Sequence, residues 1–185
     1  RSVSRGLGDV YKRQIINSKV LVIGAGGLGC PLILYLAYSG VGNIGIVDHD
    51  IIEISNLSRQ ILFTKRDIGK KKVIVAKKII KKINNKITVD IYKNKIDKNN
   101  IDKIGKNYPI ICDGTDNFKS KFLINKFSKI LKKIFITGAI GKFDGHIFGF
   151  DFSIKKKPCL ESFYQGIPDI ATCEEDGVIG TVAGV

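Results

Sequence analysis

The chain has 185 residues, 44% of them hydrophobic, and carries 31 Lys and Arg against 17 Asp and Glu, a net charge of +14. That length suits one domain with a real core, and no apolar run is long enough to span a membrane as a helix. The four cysteines, Cys30, Cys112, Cys159 and Cys173, have no paired spacing, which excludes a disulfide framework and points to reduced thiols in a cytoplasmic protein. The lysine excess travels with Ile and Asn, residues of AT-rich codons, and reads as a solvated coat. Nucleic acid is therefore not an expected partner, although a basic surface speeds the encounter with an acidic protein.

Three of the five arginines lie in the first fourteen residues, which contain no isoleucine. Residues 1–14 thus read as a foreign leader and 15–185 as the domain proper. The apolar, uncapped end at 177–185 reads as a truncation.

From there the elements follow in order. Residues 20–23 form an apolar run without polar alternation, as in a strand buried on both faces. Gly24-Ala25-Gly26-Gly27-Leu28-Gly29 then turns the chain, with Gly24, Gly26 and Gly29 meeting the pattern G-x-G-x-x-G. A helix over 28–39 follows, with Leu32, Leu36 and Ala37 on one face, so the turn ends at a helix N-terminus, where N–H groups favour a phosphate. A second strand, 44–47, ends in Asp48, placed to accept hydrogen bonds from a ribose. After an irregular stretch to Asp67, residues 70–82 form a helix with Val73, Ala76, Ile80 and Ile83 inward. Residues 88–92 read as a strand, 97–104 as a short helix and 109–112 as another buried strand, ending at Asp113-Gly114-Thr115-Asp116-Asn117. Asn117 caps a helix over 118–132 with Phe122, Leu123, Phe127 and Ile130 inward. A strand at 134–137 and an alternating strand at 145–152 complete the order.

The alternation of strands and helices predicts an α/β fold. It is a Rossmann-like, mostly parallel sheet with helices on both faces and an antiparallel C-terminal extension. Polar residues gather at strand ends, where such sheets bind ligands. A dehydrogenase accounts for the glycine turn and Asp48. It does not need an Arg and a Lys converging with a second Asp near the phosphates. A site cleaving a nucleoside triphosphate does, with cations on the phosphates and a carboxylate holding magnesium.

Gly24-Ala25-Gly26-Gly27-Leu28-Gly29, Asp48-His49-Asp50, Ser55-Asn56-Leu57-Ser58-Arg59-Gln60, Lys72, Thr115-Asp116-Asn117 and Thr172-Cys173-Glu174-Glu175-Asp176-Gly177 occur in this order. Together they resemble the adenylyltransferases of the MoeB, ThiF and HesA family, relatives of ubiquitin-activating enzymes. The resemblance implies ATP-dependent adenylation of the C-terminal glycine of a ubiquitin-like sulfur carrier ending in Gly-Gly, with release of pyrophosphate, by a homodimer. It implies ATP contacts from Gly24, Gly26, Gly27, Asp48, Ser55, Asn56, Leu57, Ser58, Arg59, Lys72, Asp116 and Asn117. Arg59, Lys72, Asp116 and Cys173 carry the implied catalytic roles, and Asp116 holds Mg2+. Relatives with structural zinc have two Cys-x-x-Cys pairs. Here Cys159-Leu160-Glu161-Ser162 breaks the first, so no zinc is expected and 158–168 is expected to be mobile. Three alternatives stay open: an NAD-dependent oxidoreductase, a relative acting on threonylcarbamoyl-adenosine of tRNA, and a non-catalytic binding subunit.

Overall fold

A computed structural model describes residues 8–141, 144–154 and 158–164. Six strands, β1 (Lys19–Ile23), β2 (Asn43–Val47), β3 (Thr88–Tyr92), β4 (Ile110–Asp113), β5 (Ile134–Ile140) and β6 (Gly145–Asp151), form one sheet in the order β3-β2-β1-β4-β5-β6. The first five are parallel, and β6 runs antiparallel to β5. This is the doubly wound order, with its reversal between β1 and β4, as the sequence predicts.

Among the described residues five helices accompany the sheet: α1 (Asp9–Asn17), α2 (Gly29–Tyr38), α3 (Lys72–Ile83), α4 (Ile101–Gly105) and α5 (Phe118–Ile130). The unbroken apolar run of β1 is explained by the two faces it serves. Val20 and Val22 pack with Ile33, Ala37, Val73, Ala76 and Ile80 of α2 and α3. Leu21 and Ile23 pack with Ile101, Ile104, Ile124 and Phe127 of α4 and α5. The sheet is therefore covered on both sides at its centre, while Ile134, Ile136 and Ile147 of β5 and β6 stay exposed.

Several local expectations change. The buried stripe of α2 is Cys30, Ile33 and Ala37, whereas Leu32 and Leu36 are only half-buried. In α5 the inward side chains are Lys121, Ile124, Asn125, Phe127 and Ser128, while Ile130 is 64% exposed. The helix expected from 97 begins at Ile101, because Asp97 turns back to accept from the N–H groups of Asn99 and Asn100. The stretch 50–67 contains two 3-10 turns, Ile54–Ser58 and Lys65–Asp67. Helix α1 crosses the composition change at residue 15, and its Ile15 packs against the core. Of residues 158–168, expected to be mobile, 165–168 lie outside the described residues, and 158–164 are held against α5. Asn125 donates from Nδ2 to Glu161 Oε2 at 2.6 Å and accepts from the Leu160 N–H at 3.3 Å, and Leu160 is buried.

Candidate active site

The glycine turn is built from close backbone contacts. Gly24 has φ +93°, and a Cβ there would meet the carbonyl oxygen of Gly114 at 2.9 Å. A Cβ at Gly29 would lie 1.8 Å from the carbonyl oxygen of Gly24, so both positions admit only glycine. A Cβ at Gly26 would meet nothing within 4 Å, so that side of the backbone is open to a ligand. No side chain caps α2, whose N-cap residue Leu28 lies in the cleft wall. Asp48 is buried and holds the turn: Oδ2 accepts from the Ala25 N–H at 2.7 Å and Oδ1 from the Asp50 N–H at 2.8 Å.

Beyond β2, Lys72 at the start of α3 is 5% exposed and donates to Asp50 Oδ2 at 2.9 Å. Burial raises the Asp50 carboxyl, but the Lys72 hydrogen bond and the charges of Lys72, His49 and Lys71 outweigh it and hold Asp50 below the usual carboxylate range. His49 Nε2 lies 3.2 Å from Asp50 Oδ1. The 3-10 turn Ile54–Ser58 is fixed by Asn56, whose Oδ1 accepts from the Glu53 N–H at 3.1 Å. Arg59 follows it, with Nη1 3.4 Å from the Ser55 carbonyl oxygen.

At the end of β4, Asp113 anchors the neighbouring turn. Its Oδ1 accepts from the N–H and hydroxyl of Thr115 at 2.9 and 2.6 Å. Its Oδ2 accepts from Thr137 at 2.6 Å and from Lys121 Nζ at 3.1 Å. Asn117 caps α5 as expected, accepting from the Ser120 N–H at 2.8 Å. Asp116 is exposed between these anchors, within 3.4 Å of the Asn117 amide nitrogen.

These strand ends enclose one cleft of about 1170 Å³ including its open mouth. It brings together Gly24, Gly26, Gly27, Asp48, Arg59, Lys72, Asp116 and Asn117, parted in sequence by up to 93 residues. Ser55, Asn56, Leu57 and Ser58 are not among its walls and form the turn that precedes Arg59. Cys173 lies outside the described residues. The donor set suits a nucleotide: glycine-turn N–H groups and two cations for phosphates, an acid for a ribose. Asp116 offers the hard oxygen that Mg2+ takes.

A family model described as the ThiF family matches residues 2–185. This chain belongs to the ThiF family. Among relatives, a probable molybdopterin-synthase adenylyltransferase of Porphyra purpurea is 43% identical over 94% of this chain and 46% of its own length. A sulfur carrier protein adenylyltransferase of Thermus thermophilus is 34% identical over 97% of this chain and 68% of its own. Escherichia coli MccB, solved with MccA-N7isoASN, superposes with a TM-score of 0.82 at 24% identity, over 94% of this chain and 54% of that one. That likeness is one of fold. The ThiF-family chain spans about half the length of the first curated relatives it matches.

Other cleft residues of this ThiF-family domain were given no role by the sequence reading: Asp50, Gln60 and Thr115 appear there only inside motifs, and Asn94, Lys95, Ile96, Ser120 and Lys121 were not singled out. For Lys121 a signal existed. Lys121, Asn125 and Ser128 form an i, i+4, i+7 polar stripe along the inward face of α5, and an inward polar stripe requires partners. Cys30 and Cys112 sit in the core, where burial pushes each thiol up to about 12. Cys159 is also buried, with Sγ 3.7 Å from Lys129 Nζ and 3.8 Å from Ser162 Oγ. No helix of the described residues is long and apolar enough to cross a membrane.

Proposed function

We propose that this chain is the adenylating part of an enzyme that activates the C-terminal glycine of a ubiquitin-like sulfur carrier with ATP. The observation that carries the reading is the convergence of the glycine turn, Asp48, Arg59, Lys72 and Asp116 on one cleft. Relatives named for adenylyl transfer to molybdopterin synthase and to a sulfur carrier support it.

In this reading the glycine turn and the start of α2 cradle the phosphates, and the lone pairs left on Asp48 take the ribose. Arg59 and Lys72 neutralise the triphosphate, Lys72 trading Asp50 for a phosphoryl oxygen as the ligand arrives. Asp116 would hold Mg2+, which supplies charge neutralisation on the phosphates. A carrier carboxylate oxygen then forms a bond to the α-phosphorus while the bond to the bridging oxygen breaks. The electron pair leaves with pyrophosphate, and the carrier becomes an acyl-adenylate. Cys173 is proposed to act after this step.

The protein is further proposed to be a cytoplasmic homodimer. Ile54 and Ile61 are 72% and 62% exposed on the segment around Arg59, and a second copy would cover them. Sedimentation of the full-length protein should give a dimer at micromolar concentration; a clean monomer would reject that part.

The deciding experiment for the activity is ATP–pyrophosphate exchange by the full-length protein with and without a Gly-Gly-ended carrier. Carrier-dependent exchange supports the reading. Exchange absent with every Gly-Gly carrier, or hydride transfer with a nicotinamide cofactor instead, overturns it.

A further inference from the structure

Cys159 keeps different company from the two core thiols. It is 9% exposed, but Pro158, Glu161 and Ser162 around it are exposed, and so is Lys129 of α5 beside it. Lys129 Nζ reaches Sγ at 3.7 Å across 30 residues of sequence. The Glu161 carboxylate accepts from the Cys159 thiol and from Asn125 Nδ2, and it faces the Lys129 charge. Burial raises this carboxyl, but those contacts and its own backbone outweigh it and hold it below the usual carboxylate range. A sulfur, a primary amine and a carboxylate thus meet at the edge of α5, and none of the three lines the cleft.

A thiol oxidised to a sulfenic acid carries an electrophilic sulfur, which condenses with a thiol or a nitrogen within reach. Cys30 and Cys112 belong to the core on one face of the sheet, whereas Leu160, next to Cys159, belongs to the core on the other. Among the described residues the nucleophile at hand is therefore the lysine amine. At 3.7 Å it stands just outside the near-attack range of about 3–3.5 Å, and the flexible lysine stem closes the difference.

We propose that Cys159 and Lys129 form an oxidative modification site, at which hydrogen peroxide joins them through a sulfenamide S–N bond. The sulfur attacks peroxide, its S–O bond forms as the O–O bond breaks, and one water leaves. The lysine nitrogen, its proton passed to the Glu161 carboxylate, then attacks the sulfur, and the S–O bond breaks with loss of a second water. Sulfur is oxidised and peroxide is reduced. The new bond fastens residues 158–164 to α5 covalently, where Asn125 already holds them by hydrogen bonds. The proposal is independent of what the cleft binds.

The test treats the reduced full-length protein with hydrogen peroxide and maps its peptides by mass spectrometry. A peptide pair joined at Lys129 and Cys159 should appear, lighter by two hydrogens than the sum of its parts, and dithiothreitol should restore both peptides. Lys129→Arg keeps the charge at an exposed position, so its fold should be unchanged. A guanidinium stays protonated and does not condense, so in this variant the link should vanish and dimedone should label Cys159 as a sulfenic acid. Cys159 left unreacted by peroxide, accumulating as a sulfenic or sulfinic acid in the unaltered protein, or paired with another cysteine would overturn the proposal. A link that persists in Lys129→Arg would overturn it as well, because the nitrogen would then belong to another residue.

Discussion

Lys121 Nζ stands 3.1 Å from Asp113 Oδ2 and 2.5 Å from the carbonyl oxygen of Gly138, with the two side chains 4% and 0% exposed. One ammonium on α5 thus joins the ends of β4 and β5 beneath the turn that carries Asp116. Removing one member of a buried pair leaves the other charge uncompensated, at a cost of about 3–5 kcal/mol. Lys121→Met should lose stability on that scale in urea unfolding. Lys121→Arg should lose less, since it keeps the charge. A loss below about 1 kcal/mol for the Met variant would show that the pair does not hold the turn.

The glycines separate two roles. Gly29→Ala places a methyl 1.8 Å from the Gly24 carbonyl oxygen and must distort the turn, so both stability and nucleotide binding should fall. Gly26→Ala meets nothing within 4 Å. The unliganded fold should tolerate it, with melting temperature nearly unchanged, while Mg-ATP affinity drops because the methyl occupies the ligand's side of the backbone. Equal behaviour of the two variants in both measurements would contradict this division.

Asp116 lies exposed in the cleft wall, so its loss should leave folding intact. Asp116→Ala should reduce carrier-dependent pyrophosphate exchange by roughly two to three orders of magnitude, the scale of a preorganised electrostatic contact. Arg59→Ala should act similarly. Unchanged exchange in both would remove these residues from the chemistry.

Acid should weaken the Lys72–Asp50 pair only below the ordinary carboxylate range. The Asp50 carboxyl is held below its ordinary value in the folded state, so its contribution is present above the ordinary carboxylate range and lost as pH falls through the folded value. Because about half of this side chain is exposed, the effect is modest. Asp50→Asn should flatten the decline of stability as pH falls below the ordinary carboxylate range of about 4, and an identical slope in both proteins would discount the pair.

Thiol chemistry should distinguish the core cysteines. Cys30 and Cys112 are buried and pushed up to about 12, so at pH 8 their peptides should remain unmodified by iodoacetamide in the native protein and react in urea. The sign for stability follows: folded thiols stay protonated where unfolded ones ionise, so stability declines as pH rises from about 9 towards 12. Rapid native labelling of Cys112 at pH 8 would contradict its place in the core.

The centre of the sheet was legible because β1, β2 and β4 are buried on both faces. Runs such as Val20-Leu21-Val22-Ile23 have no competing period, and the glycine turn marks where the first one stops. Helical faces were less legible in a chain so rich in Ile and Lys. Ile130 has the character of a core residue yet lies on the outer side of α5, while Lys121 looks like its exposed neighbours and is buried. The difference is a partner, Asp113, eight residues away and brought close by the fold. Asn56 was placed at the ligand from its motif, but its side chain is engaged in shaping the turn before Arg59. Gln60 was quoted within its motif without a role, and its burial in the cleft wall is visible only in the fold.

The two oxygens of Asp48 grip the backbone at both Ala25 and Asp50, so this acid works as a clasp between the glycine turn and the end of β2. In the proposed nucleotide complex, a ribose hydroxyl reaching Asp48 would pull on the same carboxylate that shapes the glycine turn. Sugar and phosphate recognition would thereby be mechanically linked, and the energies of losing each should not add. A nucleotide lacking its ribose hydroxyls should suffer less from Gly26→Ala than ATP does, and the shortfall measures the strength of the clasp.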